Sequence, residues 1–300
     1  MREQGVRVVF EVKKVINNNI LCVTGGTKGE MIVSGRGIGF GRKPGDTLDA
    51  ALVQKMYRMT SPGIQQKLAE LMEEIPYEHL VLTDEMVETI RAQVPYPLNE
   101  SLLVTLADHI SFAIERKQKG LTFQNPLIGA VREYYPVEYR LGRECLQKIR
   151  ARTGVDLPDD EAGFIAQHIV NAELNTSMSV MNDITAFIEG CVSEVEEYYG
   201  RKFDRDSLAF SRFTVHLRFF AQRIFQNAQE MESPQERDEL FRALVARNCQ
   251  NHYRCAEQIA AYVAGQWRKT LNDEELIFLT IHLKRINLET AGGGADPDED

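Results

Sequence analysis

The chain has 300 residues, 43% hydrophobic and 26% charged, which is long for one domain and ordinary for a globular protein. That composition excludes collagen-like, low-complexity and wholly disordered classes, and no run reaches the roughly 18 apolar residues of a membrane span. The net charge of −9 hides an asymmetry: residues 1–46 hold 8 Lys/Arg against 4 Asp/Glu, while the rest hold 27 against 40. A small basic head on an acidic body suggests a polyanion-binding module joined to something that binds no polyanion.

The first element is the Val-, Ile- and Phe-rich run Val6–Ile16, followed by Asn17-Asn18-Asn19 and then Ile20-Leu21-Cys22-Val23. Asparagine tolerates left-handed turn conformations, so this pattern predicts a hairpin. A second turn at Thr24–Gly29 leads into Glu30-Met31-Ile32-Val33. Ser34–Asp46 then carries alternate glycines with Arg36, Arg42 and Lys43 for charge and Phe40 for stacking. Three or four short antiparallel strands are expected. Neither nucleotide-binding glycine fingerprint is met, because no G-x-G-x-x-G opens a long helix and no G-x-x-x-x-G-K-[ST] is present. RNA suits the segment better, since unstacked bases are read by aromatic and guanidinium stacking and by Asn or Arg hydrogen bonds. A Gly-rich turn with solvated charges has the same composition, and both readings stay open on these residues alone.

The body reads as helical and internally duplicated. His109-Ile110-x-Phe112 with Arg116 matches His216-Leu217-x-Phe219 with Arg223 at an offset of 107. Leu157-x-Asp159-x-Glu161-x-x-Phe164-x-x-x-His168-Ile169 matches Leu271-x-Asp273-x-Glu275-x-x-Phe278-x-x-x-His282-Leu283 at 114, as does Tyr139-Arg140 with Tyr253-Arg254. Two copies of one helical unit follow, near 74–178 and 179–292, with the extra residues of the second placed in a loop carrying Glu230–Asp238. An acidic tail at 293–300 is expected to be disordered.

Each copy holds a histidine pair, His109 with His168 and His216 with His282. Glu161, Phe164 and His168 lie at i, i+3 and i+7, one helix face. Asn272 and Glu275 are spaced as a capping box for the second-copy helix. A lone histidine on an apolar helix is more often a satisfied core residue than a reactive one. His79 and His252 have no repeat partner and take that reading; four at equivalent positions point to use. A metal site would need a third ligand and local spacing such as H-E-x-x-H, which is absent; Asp108 precedes His109 but Val215 precedes His216. Five cysteines (Cys22, Cys145, Cys191, Cys249, Cys255), with no C-x-x-C, indicate neither a disulfide framework nor a thiolate zinc site. No metal, cofactor or catalytic residue is therefore assigned. Reversible phosphorylation is the better use of imidazole, a nucleophile near neutral pH that gains roughly two negative charges.

On these residues the chain resembles the BglG/SacY family of transcription antiterminators. Lys14-Val15-Ile16-Asn17-Asn18-Asn19 and Gly35-Arg36-Gly37-Ile38-Gly39-Phe40-x-x-Lys43-x-Gly45-Asp46 look like the two signatures of its co-antiterminator RNA-binding domain. The duplicated body looks like its two phosphotransferase-system (PTS) regulation domains. Gly37-Ile38-Gly39-Phe40-Gly41 and Leu106–Arg116 look closest to the GlcT branch, with Gly39 and Gly41 where β-glucoside and sucrose branches more often have Ala and Gln. The chain departs from the family in about nine extra N-terminal residues.

The resemblance implies a multidomain fold, a small antiparallel β-sheet head at 1–60 and two tandem all-α bundles, with the Ser61-Pro62-Gly63 breaker ending the head. It implies a cytoplasmic homodimer, without membrane insertion or catalysis of its own, that binds a leader mRNA hairpin through Lys14, Asn19, Gly35, Arg36 and Phe40. Asn17, Arg42 and Lys43 complete the expected RNA surface. PTS enzyme II, and the phosphocarrier HPr in many members, would phosphorylate His109, His168, His216 and His282. The alternative is a DNA-binding PTS-regulated operon activator, which would carry a helix-turn-helix head instead of strands.

Overall fold

The computed structural model describes residues 9–25, 29–58, 61–225 and 235–290. Contacts group them into two compact units: residues up to 125 with 137–175, and residues 126–136 with those from 176 onward. The expected tail at 293–300 and residues 230–234 of the expected insertion lie outside the described residues.

The first unit opens with a five-stranded antiparallel sheet. Its strands are β1 (Val9–Asn17), β2 (Ile20–Thr24), β3 (Glu30–Ser34), β4 (Thr47–Asp49) and β5 (Lys55–Tyr57), in the order β4-β1-β2-β3-β5. The predicted hairpin is present, with Asn19 N–H donating to Asn17 Oδ1 at 2.9 Å between β1 and β2. The sequence predicts three or four strands, and the structure has more because β4 and β5 are three residues each. A run that short has no alternation to read; it is held in place by partners such as Phe10 opposite Leu48 and Val33 opposite Met56. Among the described residues of 9–57 the head is built of strands and not of a helix-turn-helix.

Strand alternation sorts the side chains onto two faces. Phe10, Val12, Leu21, Val23, Met31 and Val33 pack with Ile38 and Leu48 on one face. Ile20, Ile32 and Tyr57 point to the other and pack against helix α1 (Pro62–Glu74), where Leu68 and Met72 are fully buried. Each such side chain contributes about 1.5–3 kcal/mol by leaving water. Pro62 opens α1 at a position whose N–H has no intrahelical partner to lose. The Ser61-Pro62-Gly63 breaker ends the strands, but one core runs on through α1 into the helices behind it. Those are α2 (Tyr77–Arg91), α3 (Ser101–Gln118), α5 (Pro136–Thr153) and α6 (Asp160–Leu174).

The second unit contains the short α4 (Ile128–Tyr134) and then α7 (Met178–Tyr199), α8 (Leu208–Phe225), α9 (Gln235–Asn248), α10 (Gln250–Trp267) and α11 (Asp273–Thr290). Phe187, Phe210, Phe213 and Phe220 are fully buried in it. The predicted capping box of α11 is complete: Glu275 N–H donates to Asn272 Oδ1 and Asn272 N–H to Glu275 Oε2, each at 2.9 Å. The duplication is visible in the helices. The first histidine pair sits on α3 and α6, and the second on α8 and α11.

Candidate RNA interface and histidine pairs

The Gly-rich loop folds over the β1–β2 hairpin, and the asparagines hold it there. Gly35 N–H donates to the Asn19 carbonyl at 3.0 Å, Gly37 N–H to Asn19 Oδ1 at 2.7 Å, and Gly39 N–H to the Asn18 carbonyl at 2.9 Å. Gly39 is required by this approach, because a Cβ there would lie 2.2 Å from the Asn17 carbonyl oxygen. Gly37 has φ +71°, a left-handed conformation that glycine adopts without a Cβ clash. Buried Ile38 anchors the loop, while Arg36 is exposed and the Phe40 ring is 77% exposed. An aromatic ring held in water in the same loop as an exposed guanidinium costs apolar exposure. Such a pair is suited to stack on unpaired bases.

The other expected RNA residues are placed differently. Lys43 is exposed. Arg42 donates to the Thr47 carbonyl at 2.6 Å, and Asn17 Nδ2 to the Met72 carbonyl of α1 at 2.8 Å. Lys14 pairs with Glu73 of α1 at 2.5 Å, both half exposed, and that carboxylate raises the lysine pKa. The structure thus gathers Asn19, Gly35, Arg36 and Phe40 at one loop, with Gly35 buried and Arg36 and Phe40 exposed, and turns Lys14 and Asn17 toward α1. A further link between head and body was not foreseen: Lys55 of β5 pairs with Asp84 of α2, whose carboxyl pKa is raised by burial despite the lysine.

Each expected histidine pair is brought together. His109 and His168 have ring centroids 5.0 Å apart, with Phe164 5.7 Å from His109. His216 and His282 are closer, at 3.8 Å, with Phe278 4.4 Å from His282 and 5.6 Å from His216. The surroundings differ. In the first pair Glu161, only 2% exposed, puts Oε2 3.1 Å from His109 Nε2 and pairs through Oε1 with buried Arg116. Arg116 also lies over the rings of Phe112 and Phe123, 5.0 and 4.5 Å from their centroids. Burial, then neighbouring His109, lowers the His168 pKa to about 3. In the second pair, Glu275 is spent on its cap, and Arg212 and Arg285 line the pocket with Ala209, Phe213, His216, His282 and Ile286. Burial, with His216 and Arg285 adding to it, lowers His282 to about 4; burial and Arg285 also lower His216. Shifted in this direction, His168, His216 and His282 favour the neutral, nucleophilic imidazole at pH 7.

The two unpaired histidines have packing roles. His79 Nδ1 is 3.1 Å from Ser111 Oγ, and fully buried His252 is 2.6 Å from the Tyr199 hydroxyl. Among the described residues no cluster of His, Cys, Asp and Glu is arranged to hold a metal, and no helix is long and apolar enough to cross a membrane.

A β-sheet head with an exposed Gly-Arg-Phe loop, followed by two helical domains with half-buried histidine pairs, defines a nucleic-acid-binding regulator of modular type. Comparison with known proteins is consistent with that class. Residues 10–66 match the CAT RNA binding domain, and residues 84–172 and 189–286 each match the PRD domain. Transcription antiterminator LicT of Bacillus subtilis is 38% identical over 92% of this chain and 99% of its own. The Beta-glucoside operon antiterminator of Dickeya chrysanthemi is 34% identical over 93% and 98%. A crystal structure of GlcT CAT-PRDI is 34% identical, covering 55% of this chain and 98% of that one, with a TM-score of 0.47. The chain belongs to the BglG/SacY family of transcription antiterminators, and its likeness extends to both LicT and GlcT members.

Proposed function

We propose that the protein is a sugar-responsive antiterminator that acts by binding, without catalysis of its own. A dimer of heads binds a hairpin in a leader transcript and prevents the overlapping terminator from forming. The observation that carries this reading is the loop held open by Asn19, which presents Arg36 and the exposed Phe40 together. Exposed Lys43 adds charge to the same segment, and Lys14, Asn17 and Arg42 join the RNA surface on release from their present partners. Regulation enters through phosphorylation of His109, His168, His216 and His282 by PTS enzyme II, with HPr as a second donor. A phosphate adds roughly two charges, and in a symmetric dimer an interface histidine occurs twice. Moving a two-state equilibrium from 1:99 to 99:1 takes about 5.5 kcal/mol, so several sites acting together give fuller control than one.

The test starts from RNA recovered with the tagged full chain and sequenced, followed by binding of the enriched hairpin as synthetic RNA. Arg36→Ala should weaken that binding by about 1–3 kcal/mol, roughly fivefold to over a hundredfold. No enriched hairpin, or unchanged affinity without Arg36, would remove the reading.

A further inference from the structure

The two histidine sites are built on the same repeat, and the repeat shows which groups were exchanged. Arg212 of α8 stands where the first copy has Thr105, by the offset of 107, and Arg285 of α11 where it has Asn171, by the offset of 114. Both arginines line the pocket that contains His216 and His282, and its lining holds no Asp or Glu. Neither has an ion-pair partner among the described residues. The acidic residue that closes on His109 in the first copy has its equivalent, Glu275, tied to Asn272 instead. The pocket is small, about 40 Å³, and open to solvent, with room for more than one water-sized group. Both guanidiniums are exposed at the rim of this pocket, beside two imidazoles and with no carboxylate in its lining. The Arg285 charge disfavours protonation of both His216 and His282.

We propose that Arg212 and Arg285 form a phosphoryl-binding wall that makes the second histidine pair the preferred phosphate acceptor of the chain. The inference rests on the histidine-phosphorylation reading and adds which residues hold the group. A neutral imidazole nitrogen of His216 or His282 attacks the phosphorus of an N-phosphoryl donor. The new N–P bond forms as the donor's own N–P bond breaks, and the departing nitrogen takes up a proton. The transferred group carries roughly two negative charges. The guanidinium fork matches phosphate oxygens with two parallel N–H donors, so Arg212 and Arg285 are positioned to neutralise it as it arrives and to retain it afterwards. The first pair lacks both: Arg116 is committed to Glu161, and that carboxylate lies 3.1 Å from His109 Nε2. Phosphate on His109 Nε2 requires Glu161 to move or be protonated.

The probe is phosphoramidate, a small donor that needs no protein partner, applied to the full chain and followed by phosphopeptide mapping under alkaline conditions. His216 or His282 should label on the order of tenfold faster than His109 or His168, the effect expected from charge-assisted contacts to phosphate. Arg212→Gln with Arg285→Gln should remove that preference. Arg212→Lys with Arg285→Lys, which keeps the charge and loses the fork, should retain part of it and controls for folding. Glu161→Gln should raise labelling of His109. Equal rates at all four histidines, no label on the second pair, or indifference to the Gln double variant would overturn the wall. Labelling by PTS donors distinguishes the two failures: label there with no arginine effect sinks the wall alone, whereas no histidine label from either donor sinks the phosphorylation reading.

Discussion

The first and second histidine pairs occupy the same positions of a repeated helical unit, yet one faces a buried carboxylate and the other a pair of arginines. Glu161 and Glu275 are the same residue at the same repeat position. Glu161 reaches across from α6 to His109 and Arg116, whereas Glu275 folds back onto its own helix start. The repeat therefore conserves where the imidazoles lie and leaves the electrostatics around them free to diverge. Two histidine pairs placed alike therefore sit in different fields.

The largest effect that separates the sites is on stability. Arg116→Ala leaves Glu161 buried without its cation, and such a loss costs about 3–5 kcal/mol. Asn272→Ala removes only the cap that occupies Glu275, at about 1 kcal/mol. Urea unfolding of the full chain, read by the near-ultraviolet signal and by the two units' separate transitions where they resolve, checks the contrast. Similar costs for the two variants would mean that Glu161 is not a buried ion-pair partner.

Acid should sharpen the comparison. Unfolded histidines bind protons near pH 6.5, whereas folded His168 resists until about 3 and His282 until about 4. Between those values the unfolded chain binds more protons, so this contribution to stability is full above pH 6.5 and is lost as the pH falls toward 4. Histidine-resolved NMR titration should show His168 protonating below His282. A normal midpoint near 6.5 for either would contradict the burial described here.

The smallest effect is expected in the head. Lys14 and Glu73 form an exposed pair of the kind worth about 0–1 kcal/mol. Glu73→Ala should therefore strengthen hairpin binding by no more than about fivefold, by releasing Lys14 from α1. Weaker binding would show that Glu73 orders the RNA surface instead of competing with it.

What the sequence discloses follows the range of each interaction. The Asn17-Asn18-Asn19 hairpin and the Asn272–Glu275 cap are legible because turn and cap chemistry is local. The histidine pairs are legible because two copies at fixed offsets mark the same positions. β4 and β5 are not, since three residues carry no period. The contact of Glu161 with His109 depends on α3 meeting α6, and the same residue type caps a helix in the other copy. Arg212 and Arg285 stay hidden for a different reason: reading by repeat weights what the copies share, and these arginines occur in one copy only. The pairings of Lys14 with Glu73 and Lys55 with Asp84 join segments 59 and 29 residues apart. No spacing rule reaches that far.

Terminator readthrough in cells tests the central claim most directly. The leader recovered with the protein is placed before a reporter, with and without the inducing sugar. Wild type should give sugar-dependent readthrough, Arg36→Ala should abolish it, and replacing His109 with His168, or His216 with His282, should change its dependence on sugar more than any single replacement. Readthrough that is the same with and without the protein, or that responds to sugar unchanged in every histidine variant, would contradict it.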